Sequence, residues 1–288
     1  MPRPGAFDLM QDVLIDGIAA DGGCVRERAF QFGDGLFETI AIIDGMPCLW
    51  NAHMARLSTG CQRLHLPRPD IARMTAECRS LCAGHERAVL KIFWTAGQSD
   101  RGYRRPASVR PQRILRLFEW PRHASGQAWV VRQCAHRLSE NPMLAGVKHL
   151  NRLDQVVARS EWDDPEVGEG LMFGQDGRVV CGTMSNLFLQ HGEDLQTPAI
   201  EGAGIAGVVR DLALALAAGS GNPVRVGRVS VEDVRAADAL YLTNSLIGVV
   251  RVGRYDTSIY DTGLPEHPLM SEVARLCHHA EWPGASNE

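Results

Sequence analysis

The sequence predicts a mixed α/β (α+β) protein with ample chain for a hydrophobic core. Its 288 residues suffice for one large or two medium domains. A hydrophobic content of 45% and a charged content of 22% are typical of soluble globular proteins. Short apolar runs typical of strands alternate with longer runs that have helical spacing. No internal repeat or low-complexity tract interrupts this pattern.

Residues 1–120 are predicted to form the smaller, N-terminal α/β domain. The dipeptide Asp44-Gly45 separates two apolar runs and predicts a hairpin turn. Asn51 is placed to cap the next helix. The loop over residues 97–110 is rich in arginine and long enough to suggest a function. In order, the predicted elements are strands 13–17, 36–43 and 46–50, helices 51–64 and 69–82, and strands 88–94 and 113–118.

Residues 121–126 are predicted to be a linker, because Pro121, Ser125 and Gly126 cluster there. Residues 127–288 are then predicted to form the larger, C-terminal domain. Gly207 opens a helix with a largely apolar body. The predicted elements of this domain are strand 128–134, helix 151–162, strands 170–173 and 184–189, helix 208–217, and strands 239–243 and 247–252.

Composition excludes several classes of protein. A net charge of -4 and scattered basic residues give no electrostatic case for nucleic acid binding. Neither a basic signal-peptide segment nor an apolar run of membrane-spanning length is present, so we expect a cytoplasmic protein that does not bind membranes. The eight cysteines form no Cys-x-x-Cys pair and are expected to be free thiols, and no His-Glu-x-x-His pattern predicts a metal site.

The segment over residues 141–156 places one lysine, Lys148, in apolar and neutral surroundings just before a helix-like run. Val147 and Leu150 flank it, and desolvation disfavours the ammonium form and lowers the pKa. A lysine with a lowered pKa can form a Schiff base and act as a general base. The alternative interpretation is a surface lysine at a helix start.

Three other segments contain residue types suited to binding or catalysis. The run over residues 31–39 has two glycines that let the backbone approach a ligand, and it ends at Thr39. Arg56 lies in a predicted helix, where the residues alone favour a solvated arginine, although the planar guanidinium group is suited to phosphate. Residues 204–207 precede a helix, and a helix start with free amides is a natural anion site.

Residues 202–207 also match the pattern Gly-x-Gly-x-x-Gly, which is found in NADP-binding proteins. This is the remote alternative for the function. Residues 196–201 contain a proline, and we expect no buried parallel strand there, which argues against a dinucleotide site.

The run Gly-Val-Lys-His-Leu-Asn-Arg-Leu-Asp-Gln around Lys148 resembles the cofactor-lysine segment of aminodeoxychorismate lyases, which are fold-type IV pyridoxal-phosphate enzymes. The resemblance covers the chain from the first strand to about Val252. It implies two domains with pyridoxal 5'-phosphate between them, and a homodimer. It assigns Lys148 to the cofactor aldehyde, and Thr39 matches the threonine typical of the lyases. The cofactor-binding residues it implies, or that we select near them, are Arg56, Cys181, Ser185, Asn186, Ile205, Ala206 and Asn244.

The implied reaction converts 4-amino-4-deoxychorismate to 4-aminobenzoate and pyruvate, with Lys148 removing a proton and Lys148 or Thr39 returning one. Substrate carboxylates are assigned to Arg101, Tyr103 and Arg152. The sequence departs from the family at Cys181, where a glutamate usually protonates the cofactor ring. Two alternatives remain: a D-amino-acid or branched-chain aminotransferase of the same fold, and a degenerate cofactor-binding protein without catalysis.

Overall fold

The computed structural model describes residues 14–16, 18–19, 23–121, 127–221, 223–280 and 282. The described part of the chain begins with two short paired strands, β1 (Leu14–Ile15) and β2 (Ile18–Ala19), followed by two short helices, α1 (Gly23–Arg26) and α2 (Arg28–Phe32). The strand predicted over residues 13–17 is confirmed at β1, while positions 13 and 17 lie outside the described residues.

An antiparallel sheet then forms with the strand order β4-β3-β5-β6. Its strands are β3 (Gly35–Ile43), β4 (Met46–Pro47), β5 (Arg87–Thr95) and β6 (Arg113–Glu119). Helices α3 (Trp50–Arg63) and α4 (Ile71–Cys82) contribute to the same hydrophobic core as this sheet. Alternate residues of β3, such as Ile40 and Ile42, point into that core, so the residues between them face the other side of the sheet. The predicted hairpin, helices and strands of this region are confirmed, except that the strand predicted over residues 46–50 ends at Pro47 and Trp50 belongs to the helix.

The predicted cap of α3 is wrong. The helix begins at Trp50, and its N-cap residue is Leu49 in the left-handed conformation (φ 53°) without a side-chain cap bond. Asn51 lies inside the helix. The amide of Cys48 still pairs with the carbonyl of Ala41 on β3 (2.8 Å), so the chain must turn sharply at Leu49 to enter the helix.

Within the described residues, nine strands form a second sheet, with the path β12-β11-β10-β13-β14-β7-β8-β9 and β15 beside β14. Because β9 and β10 are far apart on this path yet joined by a short turn, the sheet curls round. Its strands are β7 (Trp129–Arg137), β8 (Val167–Phe173), β9 (Val179–Gly182), β10 (Asn186–His191), β11 (Asp194–Pro198), β12 (Arg225–Gly227), β13 (Ala239–Asn244), β14 (Gly248–Tyr255) and β15 (Ser258–Ile259). The helices of this half are α5 (Leu153–Arg159), α6 (Val208–Ser220), α7 (Val231–Ala236) and α8 (Pro268–Cys277).

The sequence interpretation of residues 196–201 is wrong in part. Strand β11 ends at Pro198 and is largely buried. It pairs in parallel with β12, and helix α6 connects the two strands. Proline is tolerated because it ends the strand, where the loss of one ladder donor matters least. The glycine-rich run therefore does follow a strand and precede a helix.

The two sheets have separate cores, one formed with α3 and α4 and others around the curled sheet. Trp282 returns to the first core, where its ring lies 5.5 Å from that of Trp50. The division into residues 1–120 and 127–288 stays a proposal, and residues 122–126 of the predicted linker lie outside the described part. None of the described helices is long and apolar enough to cross a membrane.

Candidate active site

Lys148 lies on an extended segment that connects the two sheets. Two residues before it, Gly146 (φ 81°) donates its amide to the carbonyl of Gly204 (2.9 Å) and accepts from the amide of Ala206 (3.1 Å). The carbonyl of Lys148 accepts from the amide of Phe37 on β3 (3.1 Å). Lys148 is thus held between β3 and the loop that starts α6.

The side chain of Lys148 faces a cavity of about 300 Å³ between the two sheets. Most of the predicted site residues line this cavity, although they are far apart in the sequence. They are Thr39, Arg56, Lys148, Arg152, Cys181, Ser185, Asn186, Ile205 and Asn244. Ala206, Arg101 and Tyr103 do not line it.

The amine of Lys148 is tuned for chemistry at neutral pH. Its Nζ lies 4.2 Å from the ring centroid of Phe37, and its side chain is only partly exposed. Burial, reinforced by the charge of Arg56, lowers the pKa of Lys148 to about 7, although the carboxylate of Glu38 opposes the shift. Much of the lysine is therefore a neutral amine at pH 7, the form that attacks a carbonyl or accepts a proton.

Arg56 is held rigidly at one end of the cavity. Its Nε and Nη2 donate to the carboxylate of Glu38 (2.9 and 2.5 Å), and its Nη1 donates to the carbonyl of Ala206 (3.0 Å). The other side of Glu38 pairs with Nδ1 of His53 (2.6 Å). With only 13% of its side chain exposed, Arg56 is not the solvated helix arginine of the alternative interpretation. Its remaining N–H donors can bind an anion.

Further donors face the cavity beside Arg56. Within the described residues, the amide of Ile205 has no hydrogen-bond partner, and it lies just before α6, where the helix dipole favours an anion. The hydroxyl of Thr243 lines the same cavity, is buried and lacks a partner among these residues. A buried hydroxyl without a partner is costly, so its presence in the cavity that Arg56 also lines indicates a ligand acceptor.

Two predicted phosphate donors have structural roles instead. The amide of Ala206 is bonded to Gly146, which removes it from the anion site. The Oδ1 of Asn244 accepts from the amides of Leu246 and Ile247 (2.8 and 2.9 Å), and its Nδ2 donates to the carbonyl of Met184 (3.1 Å). Asn244 therefore shapes the cavity wall, while the neighbouring Thr243, which the sequence interpretation did not select, has the hydroxyl without a partner among the described residues.

The turn between β9 and β10 is fastened by a buried carboxylate. Glu169 accepts hydrogen bonds from the amide and hydroxyl of Thr183, the amide of Met184 and the hydroxyl of Ser185, at 2.5 to 3.2 Å. The hydroxyl of Ser185, a predicted cofactor-binding residue, thus donates its hydrogen bond to Glu169. Asn186 donates to the carbonyl of Ile205 (3.0 Å) and so connects β10 to the anion site.

Cys181 lines the cavity as a neutral thiol. It is almost fully buried, and burial, together with the charge of Glu169, raises its pKa to about 12. A group of this kind cannot supply the negative charge of a carboxylate at neutral pH.

Arg152 brings a second positive charge to the cavity. Its Nη2 contacts both ring nitrogens of His149 (3.1 and 2.6 Å), whose pKa is lowered to about 4 by burial and by Arg152. The Nε of Arg152 is buried without a hydrogen-bond partner among the described residues. This geometry suits an anionic ligand group.

The arginine-rich loop contributes no residue to the lining of the cavity. The carboxylate of Asp34 binds both Arg28 and Arg105, and Arg28 also donates to the backbone of Tyr103. These bonds fix the base of the loop and leave Tyr103 87% exposed, with Arg101 also exposed. The structure therefore does not bring these two predicted substrate residues to the cavity of the same chain.

Known proteins resemble this chain over most of its length. The amino-transferase class IV family model matches residues 35–255. The chain is 34% identical to an aminodeoxychorismate lyase of Vibrio harveyi, over 83% of this chain and 89% of that protein. It is 39% identical to the crystal structure of 4-amino-4-deoxychorismate lyase from Pseudomonas aeruginosa, with a TM-score of 0.81 and coverage of 87% and 92%. The Escherichia coli branched-chain amino acid aminotransferase shares the fold, at 22% identity and a TM-score of 0.76 over 87% and 86% of the two chains.

Proposed function

The chain belongs to the amino-transferase class IV family, and on this premise we propose that it is a pyridoxal-phosphate-dependent lyase. Its substrate is 4-amino-4-deoxychorismate, and its products are 4-aminobenzoate, a folate precursor, and pyruvate. The observation that carries the proposal is Lys148, a lysine with a pKa of about 7 whose side chain shares a 300 Å³ cavity with the hydroxyl-bearing Thr39.

The cavity residues fit the cofactor. The amine of Lys148 is positioned for its aldehyde, while Arg56, the Ile205 amide and the Thr243 hydroxyl offer unoccupied donors for its phosphate. Gly207 lies close to these donors, and a Cβ at this position would clash with Oδ1 of Asn186 and so displace that side chain. When bound, pyridoxal phosphate supplies an electron sink for the electrons released at the amine-bearing carbon.

The residues of the chain divide the remaining work. Lys148, in its neutral form, removes the proton from the amine-bearing carbon of the substrate. Thr39, at the edge of the cavity on β3, has a hydroxyl that can deliver a proton to the departing enolpyruvyl group. Arg152 binds a substrate carboxylate through its unpartnered N–H donors. The cavity walls orient the substrate and limit access of water.

Cys181 favours elimination over transamination. The family resemblance implies a glutamate here that keeps the ring nitrogen protonated, and a neutral thiol does this poorly. An elimination that forms an aromatic ring draws driving force from its product, so it depends less on the cofactor ring as an electron sink. We expect Cys181→Glu to alter the visible absorbance of the bound cofactor and to increase amine transfer from amino acids. An unchanged spectrum and turnover would contradict any role of position 181.

We further propose a cytoplasmic homodimer. All eight cysteines are free, as expected in a reducing compartment. The side of the first sheet opposite α3 exposes Ile114 (45%) and Phe118 (38%), and a second copy of the chain would cover these apolar side chains. Light scattering coupled to gel filtration measures the mass directly.

The test of the lyase starts from the absorbance spectrum of the purified protein with pyridoxal phosphate. We expect a visible band and pyruvate release on addition of 4-amino-4-deoxychorismate, with both lost in Lys148→Ala. Borohydride reduction and peptide mapping should place the label on Lys148. A visible band without pyruvate would support the aminotransferase alternative. Absence of the band would refute the assigned cofactor site.

A further inference from the structure

The chain has only two lysines among its 30 lysine and arginine residues, Lys91 and Lys148. Both lie against the same aromatic ring. The Nζ of Lys148 is 4.2 Å from the ring centroid of Phe37, and the Nζ of Lys91 is 5.4 Å from it. Phe37 itself lines the cavity. The second lysine therefore stands next to the reactive one, although 57 positions separate them in the sequence.

Strand register places Lys91 on the cavity side of the first sheet. Lys91 on β5 lies directly opposite Thr39 on β3, and Phe93 lies opposite Phe37. Directly opposite residues of an antiparallel pair project from the same face, with Cβ atoms about 5 Å apart. Thr39 and Phe37 both line the cavity, and Lys91, which is not itself a lining residue, projects from the same face of the sheet directly beside the proposed proton donor.

Lys91 has no anionic partner. In the described part of the chain it forms no ion pair, and its ammonium is surrounded by the rings of Phe37, Phe93 and Phe118 at 5.4, 5.4 and 6.0 Å. The residue directly opposite it on β6, Arg116, is a cation as well. The ring faces attract the ammonium, but they leave its hydrogen-bond donors free.

We infer that Lys91 binds the enolpyruvyl carboxylate of the substrate and so selects dicarboxylic compounds, a role that rests on the proposed function. The substrate has two carboxylates, and the cavity then offers one cation to each: Arg152 to the ring carboxylate and Lys91 to the enolpyruvyl group. Binding next to Thr39 holds the departing group where that hydroxyl can protonate it. Amino acids with one carboxylate leave Lys91 unpaired and are disfavoured.

The test uses Lys91→Met, which keeps the length of the side chain without its charge, in the holoenzyme. Calorimetric titration compares chorismate, which has both carboxylates and no amine, with 4-aminobenzoate, which has the ring carboxylate alone. A charge-assisted hydrogen bond corresponds to about 10- to 100-fold in affinity. We expect Lys91→Met to weaken the binding of chorismate by this factor and to leave the affinity for 4-aminobenzoate almost unchanged. In the reaction with 4-amino-4-deoxychorismate, the substitution should raise KM more than it lowers kcat.

Two variants serve as controls. Arg116→Met removes the cation directly opposite Lys91 on β6. Arg116 lies on the face proposed for the dimer contact, so the control requires an unchanged mass in gel filtration, and both affinities should then be unchanged. Lys91→Arg keeps the charge and should keep a preference for chorismate, even if Lys91→Met folds poorly.

The outcomes separate the two proposals. Equal losses for both ligands, no loss for either, or no chorismate binding by the unmodified enzyme would overturn the role of Lys91. Pyruvate release with chorismate affinity independent of Lys91 would leave the lyase standing without this subsite. Chorismate binding that depends on Lys91, without pyruvate release from the substrate, would support the subsite and refute the lyase.

Discussion

Substitution Glu38→Gln should destabilise the protein through the loss of one buried charge. Glu38 is 1% exposed and lies between Arg56 and His53. Burial alone would raise its pKa, but the charge of Arg56 and the bond from His53 lower it from 4.5 to about 2. This difference corresponds to about 3 kcal/mol of stability at neutral pH. Removing one member of a buried pair costs a similar amount, about 3–5 kcal/mol, because the partner charge is left uncompensated.

Urea unfolding followed by tryptophan fluorescence measures this loss at pH 7, for wild type and variant with and without pyridoxal phosphate. The contribution is fully present above pH 4.5, the ordinary pKa, and is lost as the pH falls towards 2. Glu77→Gln is the matched control, because Glu77 also forms a double contact with an arginine, Arg113, but at the surface. A Glu38→Gln variant no less stable than Glu77→Gln would refute the reasoning.

Three further predictions concern the cavity. In cofactor-free protein, the rate of reaction of Lys148 with pyridoxal phosphate should rise with pH through about 7, since the neutral amine attacks; a midpoint above 9 in the absorbance kinetics would contradict this. Thr243→Val should weaken cofactor binding about tenfold in a fluorescence titration, while the cofactor-free protein keeps its stability because the hydroxyl has no partner in the described residues; a stability loss would show a structural role. Gly207→Ala should displace Asn186 and lower cofactor affinity. Gly219→Ala in α6 is the control, because this glycine has open space around it and the substitution should stabilise the helix by up to about 1 kcal/mol. Equal effects of the two substitutions on cofactor affinity would contradict the close contact between position 207 and Asn186.

Sequence patterns predicted most of the fold because the elements carry their own signals. The Asp44-Gly45 turn and the apolar runs of β3, β5 and β6 were recognisable locally. The start of α3 was not, because the left-handed turn at Leu49 is imposed by pairing with β3 rather than by the residue type. Strand β11 was not predicted because its sequence contains a proline. A strand tolerates proline only where the missing N–H is not needed for pairing, and this depends on the neighbouring strands of the folded sheet.

Sequence motifs predicted the site residues that they contain, but they could not show which donors are already hydrogen-bonded in the fold. Lys148 and Arg56 were selected from their motifs, and the structure brings them together. Ala206 and Asn244 were reasonable donors, but local bonds that no sequence pattern reveals occupy them. Thr243 precedes the selected residue Asn244 in the sequence. What distinguishes it is a hydroxyl without a hydrogen-bond partner among the described residues, which the sequence does not show.

The buried carboxylate of Glu169 has a consequence for how this enzyme can diverge. It holds the turn after β9 through Thr183, Met184 and Ser185, and none of these bonds involves the side chain at position 181. The same negative charge raises the pKa of the buried Cys181 thiol, so an acidic side chain introduced at position 181 would meet a second carboxylate. The anchor that fixes the turn therefore also sets the electrostatic cost of giving this position the glutamate that the family usually carries.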